Sequence, residues 1–387
     1  MPMENVLHSQ PRGEHHGERQ SIAFVVNNYP PKVGGVELHV SALAQELASQ
    51  GHRVTVVSLD NNAASAMEKG IDVVRLPCTR TVGGVLAFPY PGTRKRLVRL
   101  LASRNIDVVS THTRFFPMSY IGMRAAKSLH IPVIHTEHGS DYVRGVSAFV
   151  GLASRVVDWT LGRIVLRGAR HVLGISSASV EFVRRLAGRD ATVFHNAIDS
   201  EFFAEGSQPG GVPQKLVFLG RLVRGKGWER VVSVAEALLA ANQDLTVHFI
   251  GDGAERQALE DAVARSSYRN RYTVHGFLGA TDIRAILRNS VLLNPTELSE
   301  GFQTTLLEAV AAGGVVVSTP VAAAVYLREA GAPVRTISAA DAEGWIEATN
   351  ELLNLPIRPI GPALLESMDW RGRGRDFVDI VSRLDTV

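Results

Sequence analysis

The sequence predicts an α/β protein built from two tandem, doubly wound domains that face one another across a cleft. The chain has 387 residues, which exceeds the roughly 250–300 residues at which a single hydrophobic core stops growing. Short apolar stretches of strand length alternate with amphipathic helical stretches in two separate series. A segment rich in glycine and proline, residues 205–213, lies between the two series and is the strongest linker signal in the chain.

The composition is typical of a globular protein. Hydrophobic residues make up 45% of the chain and charged residues 20%, which supports a large core and excludes global disorder. Cys78 is the only cysteine, so no intrachain disulfide can form and a reducing, cytoplasmic setting is expected. Residues 1–19 are polar and contain no apolar stretch of signal-peptide length, so we interpret them as a disordered tail.

The first series opens with a strand, a helix and a second strand. Ile22–Asn27 is a short apolar strand, and the spacing of Val40, Leu43 and Leu47 predicts the helix that follows. A strand at Arg53–Leu59 completes a unit that requires parallel pairing. Further strands are predicted at Val73–Leu76, Asp107–Ser110, Val133–Thr136, His171–Ile175 and Thr192–Phe194, with helices at Thr93–Arg104, Asp158–Gly168 and Ser177–Leu186.

The second series repeats this alternation from Lys215 onward. Two domains are therefore predicted, at residues 20–204 and 205–365, and a C-terminal helix within residues 366–387 is expected to cross back to the first domain. Strands are predicted at Leu216–Leu219, Leu245–Gly251, Tyr272–His275, Val291–Asn294 and Val315–Ser318, with helices at Trp228–Ala241, Ala254–Arg265, Asp282–Asn289 and Leu306–Ala312.

One uncharged stretch, Ala309–Leu327, is nearly long enough to cross a bilayer. It contains Gly313-Gly314 and a Ser-Thr-Pro turn ending at Pro320. These breaks favour a helix end, a buried strand and a turn over a transmembrane helix.

Charge is divided unevenly between the two halves. Residues 20–200 hold 21 Lys and Arg against 12 Asp and Glu, a net charge of +9, whereas residues 201–387 carry −5. A basic first half favours an anionic partner. Much of this charge lies on or beside one predicted helix, whose cations are Arg94, Lys95, Arg96, Arg99 and Arg104.

The same helix carries Leu97, Leu100 and Leu101 on its other face. A basic amphipathic helix can lie on an anionic membrane surface. Alternatively, the leucines pack on the sheet and the cations are merely solvated. The sequence leaves both interpretations open.

Ligands of open α/β sheets bind at the carboxyl ends of the strands, so the site is expected between the domains. The loop after Leu216–Leu219 carries Arg221 and Lys226 and leads into a helix. Two cations backed by the amides of a helix start would suit a diphosphate. The alternative is an ordinary solvated loop.

A second polar segment follows the strand that ends at Asn294. Glu300 lies in the loop, and Glu308 comes eight residues later within the next helix. The first amides of that helix, at Thr304 and Thr305, are free to meet a ligand. Glu300 could accept hydrogen bonds from sugar hydroxyls and Glu308 from a ribose. Otherwise Glu308 is a helix-face glutamate and Glu300 a charge favoured by the helix dipole.

These residues and several further segments give the chain a resemblance to a known family. Glu300-Gly-Phe followed by Glu308-Ala309 is similar to the E-x7-E signature of retaining GT-B glycosyltransferases of glycosyltransferase family 4, also called glycosyl transferases group 1. Further segments resemble this family in the expected order, over roughly residues 21–380. They are Pro31…Gly34-Gly35-Val36-Glu37, His195-Asn-Ala-Ile-Asp199, Gly220-Arg221…Lys226-Gly227, Phe249–Gly253 and Val274–Phe277.

The resemblance implies a role for each matching residue on the donor side. Arg221 and Lys226 would neutralise the diphosphate, Glu300 would contact the transferred sugar, and Glu308 would contact the ribose. The rest of the implied donor site consists of Gly34, Gly35, Gly301, Phe302, Gln303, Thr304 and Thr305. Gly34 and Gly35 would form a flexible loop near both donor and acceptor.

On the other side of the reacting centre, the resemblance implies that His138 faces the sugar. His135 competes for this role, although strand alternation places it on the opposite face. His112 and Asn196 match positions on the acceptor side. Many relatives have glycine in place of Gln303, and Asn-Gly in place of Asn196-Ala197, so the sugar pocket and this turn could be rebuilt.

The implied reaction is retaining transfer of a sugar from a UDP- or GDP-sugar to an acceptor hydroxyl. The implied mechanism relies on positioning and on stabilising the leaving phosphate. No Asp-x-Asp occurs in the chain, which agrees with a mechanism that needs no metal or other cofactor. The acceptor is expected to be a glycan, a glycolipid or a small molecule, as in the synthesis of cell-envelope glycan, glycolipid or exopolysaccharide. No nucleic-acid partner is expected, and a cytoplasmic enzyme could contact the inner face of an anionic membrane.

Three alternatives remain at this stage. The enzyme could glycosylate a soluble small molecule, it could be a sugar-nucleotide 2-epimerase, or the chain could be a non-catalytic nucleotide-sugar binding module. An epimerase needs additional acid–base carboxylates, which the sequence does not identify. A nicotinamide dehydrogenase is disfavoured because no Gly-x-Gly-x-x-Gly follows the first strand.

Overall fold

The computed structural model consists of two α/β domains joined by a short linker. The expected N-terminal tail lies outside the described residues except for Arg19. Those residues are 19–32, 34–62, 64–81, 86–142, 148–207, 210–298 and 300–384.

The first domain contains an eight-stranded sheet in the order β3-β4-β2-β1-β5-β6-β7-β8. All neighbours pair in parallel except β3 and β4, which are antiparallel. The strands are β1 Ser21–Val25, β2 Arg53–Asp60, β3 Ala64–Glu68, β4 Ile71–Pro77, β5 Val108–His112, β6 Val133–Glu137, β7 His171–Gly174 and β8 Thr192–Val193. The helices are α1 Gly35–Ser49, α2 Thr93–Ser103, α3 Pro117–Ser128, α4 Ala148–Val157, α5 Arg163–Gly168, α6 Ser177–Ala187 and α7 Ser200–Ala204.

Strand alternation divides the core of this domain into two layers. Ile22 and Phe24 of β1 face α1, whereas Ala23 and Val25 face a layer that includes α2 and α3. The leucine face of α2 belongs to this second layer, because Leu97 and Leu101 are fully buried and Leu100 packs beside them. Its cations Arg94, Lys95, Arg96 and Arg99 are exposed. The leucines of α2 are therefore core residues and are not available to enter a membrane.

The second domain contains a six-stranded parallel sheet in the order β11-β10-β9-β12-β13-β14. Its strands are β9 Lys215–Leu219, β10 Thr246–Ile250, β11 Tyr272–Gly276, β12 Ser290–Asn294, β13 Val315–Ser318 and β14 Val334–Thr336. The helices are α8 Trp228–Leu239, α9 Arg256–Arg265, α10 Ala280–Leu287, α11 Thr304–Ala311, α12 Ala322–Glu329, α13 Ala342–Leu353, α14 Pro362–Ser367 and α15 Trp370–Leu384.

The uncharged stretch Ala309–Leu327 contains the predicted helix end and buried strand, but the helix α12 that follows its turn was not predicted. It comprises the end of α11, the strand β13 and most of α12. Across the part of the chain that the structure describes, no helix is long and apolar enough to cross a membrane.

The last helix, α15, packs against α1 of the first domain. Phe377 and Val381 of α15 are buried with Val40 and Leu43 of α1. The Phe377 ring also stacks on Phe24 of β1, with 6.1 Å between the ring centroids. The C-terminal segment thus completes one layer of the first domain's core.

The sequence prediction was incomplete at several elements. It missed the exposed edge strand β3, the helices α3 and α7 and, beyond β13, the elements α12, β14, α13 and α14. It also placed the start of one helix too late. Where a helix was predicted at Asp158–Gly168, a helical segment begins ten residues earlier as α4 and passes through a π turn at Asp158–Gly162 into α5. An uncharged stretch with Gly151 and Ser154 gave the first part of this helix a weak signal.

Candidate active site between the two domains

A cavity of about 630 Å³ lies between the two domains. Its walls include the carboxyl ends of strands from both sheets, where open α/β folds bind ligands. The predicted residues that line this cavity are Gly35, His138, Asn196, Arg221, Lys226, Glu300, Gly301, Phe302, Gln303, Thr304, Thr305 and Glu308. A neighbouring cavity of about 570 Å³ shares Leu38, Ala42, Asp199 and Trp370 with the first.

Lys226 and Glu300 meet at the second-domain wall of the cavity. The Lys226 Nζ atom lies 2.6 Å from Glu300 Oε1. The two loops are held together by a hydrogen bond from the Glu297 amide to the Gly225 carbonyl, 2.8 Å long. Gly227 has a φ of +82°, and a Cβ there would lie 2.5 Å from the Pro295 carbonyl oxygen. Only glycine permits this approach.

The helix α11 begins at Thr304, close to where the sequence placed it. Gln303 is its N-cap residue and makes no side-chain capping hydrogen bond. Instead, the Gln303 carboxamide oxygen accepts a hydrogen bond of 2.8 Å from Asn294. The first amides of α11 are therefore not capped by Gln303 and adjoin a cavity that also contains Arg221 and Lys226. This arrangement provides positive charge and oriented N–H groups for an anion.

Glu308 lies on the same helix, one turn further along the cavity wall. Burial raises the pKa of its carboxyl group to about 7, and the opposing effect of the Thr304 hydroxyl hydrogen bond is smaller. A bound diol that donates hydrogen bonds to this carboxylate would favour the charged form.

Two histidines, His39 and His138, line the first-domain wall of the cavity, and a third, His112, lies behind them. His138 directly follows β6, and its Nε2 atom lies 3.1 Å from Nδ1 of His112. The His39 Nδ1 atom of α1 lies 2.8 Å from Asn196 Oδ1, and its ring meets the His138 ring edge-on at 4.9 Å. His112 is fully buried behind these two rings, contacts both of them, and does not line the cavity.

Burial keeps these imidazoles neutral near pH 7. It lowers the pKa of His39 to about 4, with the Asn196 hydrogen bond opposing it. The pKa values of His112 and His138 also lie well below the usual range, first because of burial and then because of the neighbouring histidines. One nitrogen from each ring lies within 4.8 Å of the others, which would allow a metal ion. Hydrogen bonds within the protein already engage Nδ1 of His39, Nδ1 of His112 and Nε2 of His138. The buried Nε2 atom of His39 has no hydrogen-bond partner among the described residues.

The sequence analysis missed His39, although a signal was present. The helical spacing that buries Val40 and Leu43 places His39 on the same side of α1, where a polar residue requires an explanation. His39 is 2% exposed.

Buried charges fix the backbone that carries His138. The Glu137 carboxylate accepts hydrogen bonds from Arg114 Nη1 at 2.8 Å and from the Gly139 amide at 2.7 Å. Burial alone would raise the pKa of Glu137, but the Arg114 charge and the surrounding hydrogen bonds hold it at about 2. His135 bonds to Thr111 inside the sheet and does not line the cavity, so it does not replace His138.

The loop before α11 contacts the first domain directly. A Cβ on Gly301 would lie 2.7 Å from Ile175 Cδ1 and 3.2 Å from the His138 carbonyl oxygen. Asn196 Nδ2 donates a hydrogen bond of 3.1 Å to the Phe302 carbonyl. The glycine at position 301 thus allows the Glu300 loop to approach His138. Of the remaining predicted residues, Gly34 is the N-cap residue of α1 and does not line the cavity.

Comparison with known proteins identifies the family, and the two domains of this chain match two family models. Residues 33–202 match the model for Glycosyltransferase Family 4, and residues 213–355 match that for Glycosyl transferases group 1. A GDP-mannose-dependent alpha-mannosyltransferase of Mycolicibacterium smegmatis is 27% identical over 84% of this chain and 85% of its own length. One component of human phosphatidylinositol N-acetylglucosaminyltransferase is 25% identical over 78% of this chain, and the match spans 62% of that protein.

The solved structures give the same fold. The crystal structure of Anabaena HepE in complex with UDP-glucose superposes with a TM-score of 0.68 at 17% identity, covering 94% of this chain and all of HepE. The two parallel sheets, the interdomain cleft and the two family matches lead to one conclusion: this chain is a GT-B glycosyltransferase of family 4, group 1.

Proposed function

We infer that this glycosyltransferase transfers a sugar from a UDP- or GDP-sugar with retention at the anomeric carbon and without a metal ion. The observation that supports this most directly is the group formed by Lys226, Arg221 and the open start of α11, which lies across the cleft from His138. This group can take up the negative charge that develops on the leaving diphosphate. Names of similar proteins mention UDP-glucose and GDP-mannose, so either base is proposed.

The chemistry that this geometry favours is front-side displacement. As the bond from the anomeric carbon to the diphosphate lengthens, charge moves onto the phosphate oxygens near Lys226 and Arg221. The acceptor oxygen approaches on the same face and passes its proton to the departing phosphate oxygen. His138 is neutral and would orient the sugar by hydrogen bonding, while Glu300 holds sugar hydroxyls next to Lys226.

The acceptor we propose is a hydroxyl on a lipid-linked glycan or lipid headgroup. The neighbouring cavity lined by Leu38, Asp199 and Trp370 provides a second binding space on the first-domain side of the cleft. A relative is named for transfer to phosphatidylinositol, and the first half of this chain carries a net charge of +9, which suits an anionic substrate. A soluble small molecule is the competing acceptor.

A screen of UDP- and GDP-sugars by thermal shift should first identify the donor, since a bound donor raises the melting temperature. The anomeric configuration of the product, read by NMR, then tests retention, and activity in excess EDTA tests metal independence. Inversion, or inactivation by EDTA that Mg²⁺ or Mn²⁺ reverses, would contradict the corresponding part of the proposal. Epimer formation without transfer would instead favour an epimerase. Donor binding with neither transfer nor hydrolysis would favour a binding module.

A further inference from the structure

An unusual apolar surface lies on the helical segment formed by α4, the π turn Asp158–Gly162 and α5. Six of the fifteen large hydrophobic side chains that are exposed among the described residues lie between Val150 and Ile164. Scattered exposed hydrophobics are normal, but a cluster of them on one element marks an interaction surface.

Four of these side chains share one side of the segment. In an α-helix, positions i, i+4, i+7 and i+11 lie along one stripe. Leu152, Val156 and Trp159 follow this spacing, and the π turn inserts one extra residue, so the next position is Ile164 instead of 163. We call these four residues, which are 64%, 55%, 59% and 47% exposed in chain order, the outer stripe.

The opposite side of the same segment is fixed to the domain. Asp158 is buried and receives hydrogen bonds of 2.9 Å from Nε and Nη2 of Arg114. Val165 and Leu166 are fully buried. The polar contact near the middle of the segment thus faces inward while large apolar side chains face outward, the reverse of an ordinary surface helix.

The charged side chains of this helical segment that are not buried are all positive, and the described acidic residue nearest to it in sequence, Asp141, is paired with Arg185. Arg155 and Arg167 are exposed, and the Arg163 guanidinium lies over the Trp159 ring at 4.9 Å. The one acidic residue of the segment, Asp158, is buried against Arg114. Arginines with long apolar stems beside an exposed tryptophan suit the boundary between lipid headgroups and acyl chains. Two copies of this cationic surface would repel one another, which disfavours self-association as its purpose.

We propose that the outer stripe, with Arg155, Arg163 and Arg167, docks the protein on an anionic lipid bilayer. This assigns membrane contact to α4 and α5 instead of α2, whose leucines are in the core. The stripe is connected to the candidate active site through a short chain of contacts, from Asp158 to Arg114 to Glu137, which precedes His138. The functional reason for docking rests on the proposed lipid-linked acceptor. Docking would hold the His138 side of the cleft near the lipid headgroups.

Trp159 provides a direct measurement on the unmodified chain. Trp228 is 6% exposed, Trp345 is fully buried and Trp370 is partly buried, so Trp159 is the most exposed of the four tryptophans. Addition of vesicles of phosphatidylcholine with one third phosphatidylglycerol should shift the tryptophan emission to the blue, and brominated lipid should quench it. Vesicles of pure phosphatidylcholine should give a much smaller change, and salt should weaken the binding.

One double variant and one single variant test whether the membrane contact lies on the outer stripe. Leu152→Ser with Val156→Ser should lower the vesicle partition coefficient about tenfold or more, and Arg155→Glu should also weaken binding. The control Phe277→Ser removes a side chain that is 81% exposed on the second domain and should bind as the wild type does. Donor hydrolysis, measured without lipid, should be the same in all of these proteins, so loss of docking is distinguishable from failure of the proposed function.

Three results would overturn the proposal. The first is the absence of wild-type flotation with strongly anionic vesicles at low salt. The second is a wild-type dimer in light scattering that becomes a monomer in the Leu152→Ser/Val156→Ser variant, which would make the stripe a contact between copies. The third is a pair of results: the Arg96→Glu variant on α2 no longer binds vesicles, whereas the Leu152→Ser/Val156→Ser variant still binds them. The tryptophan emission shift and the quenching by brominated lipid, measured on the unmodified chain, test the proposal even if the stripe variant fails to fold.

Discussion

Lys226 is a largely buried cation, and burial of its ammonium group is energetically unfavourable. It is 8% exposed, and a buried ammonium group is tolerated only with a compensating partner. Glu300 supplies that partner at 2.6 Å. The lysine nevertheless borders the cavity, so a donor phosphate can share it. Such a preorganised charge stabilises a leaving group without having to reorganise first.

Replacing Lys226 with alanine should therefore slow the chemical step. Loss of one contact to developing charge typically costs about 10²–10³ in kcat, and a similar loss is expected for Arg221→Ala. The matched control is Arg224→Ala, which removes an exposed cation from the same loop that does not line the cavity. Wild-type turnover in both Lys226→Ala and Arg221→Ala would show that these residues do not neutralise the diphosphate.

The two glutamates of the signature should respond differently to loss of charge. Glu300→Gln should lower kcat, because Glu300 is proposed to contact the transferred sugar and pairs with Lys226. Glu308→Gln should mainly raise KM for the donor, because a ribose is remote from the reacting bond. Steady-state kinetics in both variants measure this division, and the opposite pattern would reverse the assigned roles.

Glu308 should also leave a signature in stability. Burial raises its folded-state pKa to about 7 from 4.5, so the folded protein holds an extra proton between these values. Stability should fall as pH rises from about 4.5 to 7, by at most about 3 kcal/mol. Glu308→Gln should therefore melt at a higher temperature than the wild type at pH 8, while near pH 4.5 the difference should nearly vanish. An equal difference at both pH values would contradict this assignment.

At the scale of elements, the loop between β12 and α11 connects the two domains across the cleft. Gly301 lies against Ile175 beyond the end of β7 and against the His138 carbonyl oxygen. Because this contact leaves no room for a side chain, it sets how closely Glu300 approaches His138.

Gly301→Ala should push this loop away from the first domain. The expected result is a lower kcat, because Glu300 would then lie farther from His138. Ile175→Val removes the methyl group that would lie 2.7 Å from the new Cβ, so the double variant should recover part of the lost rate. Gly279→Ala is the control, because a Cβ there meets nothing within 4 Å. Failure of Ile175→Val to restore any activity would mean that this contact does not limit the approach.

Sequence reasoning succeeded where a local pattern determines the structure. Parallel pairing, the helix end and strand within Ala309–Leu327, and the family followed from alternation, glycine breaks and ordered motifs. Reasoning failed where a contact distant in sequence determines it. Arg114 and Glu137 are 23 residues apart, and no periodicity predicts that they support His138. The edge strand β3 escaped because Ala64–Glu68 lacks β-branched residues and is mostly exposed.

At the scale of the whole molecule, α15 connects the end of the chain to its beginning. Phe377 is fully buried against α1 and β1. Phe377→Ala should lower the free energy of unfolding by about 3–5 kcal/mol, measured by denaturant titration. Leu355→Ala, which shortens a side chain that is 45% exposed, should change it by about 0.5 kcal/mol or less. Comparable losses in both variants would mean that α15 is not part of the first domain's core.

The return of α15 also constrains the order in which a newly synthesised chain can mature. When residue 204 leaves the ribosome, the surface of α1 that will receive Phe377 and Val381 is still uncovered. At about 5–20 residues per second, translation of the remaining residues takes roughly 10–40 s. Throughout this interval the nascent first domain presents an apolar surface, a natural target for chaperones, and a prematurely terminated chain would never cover it.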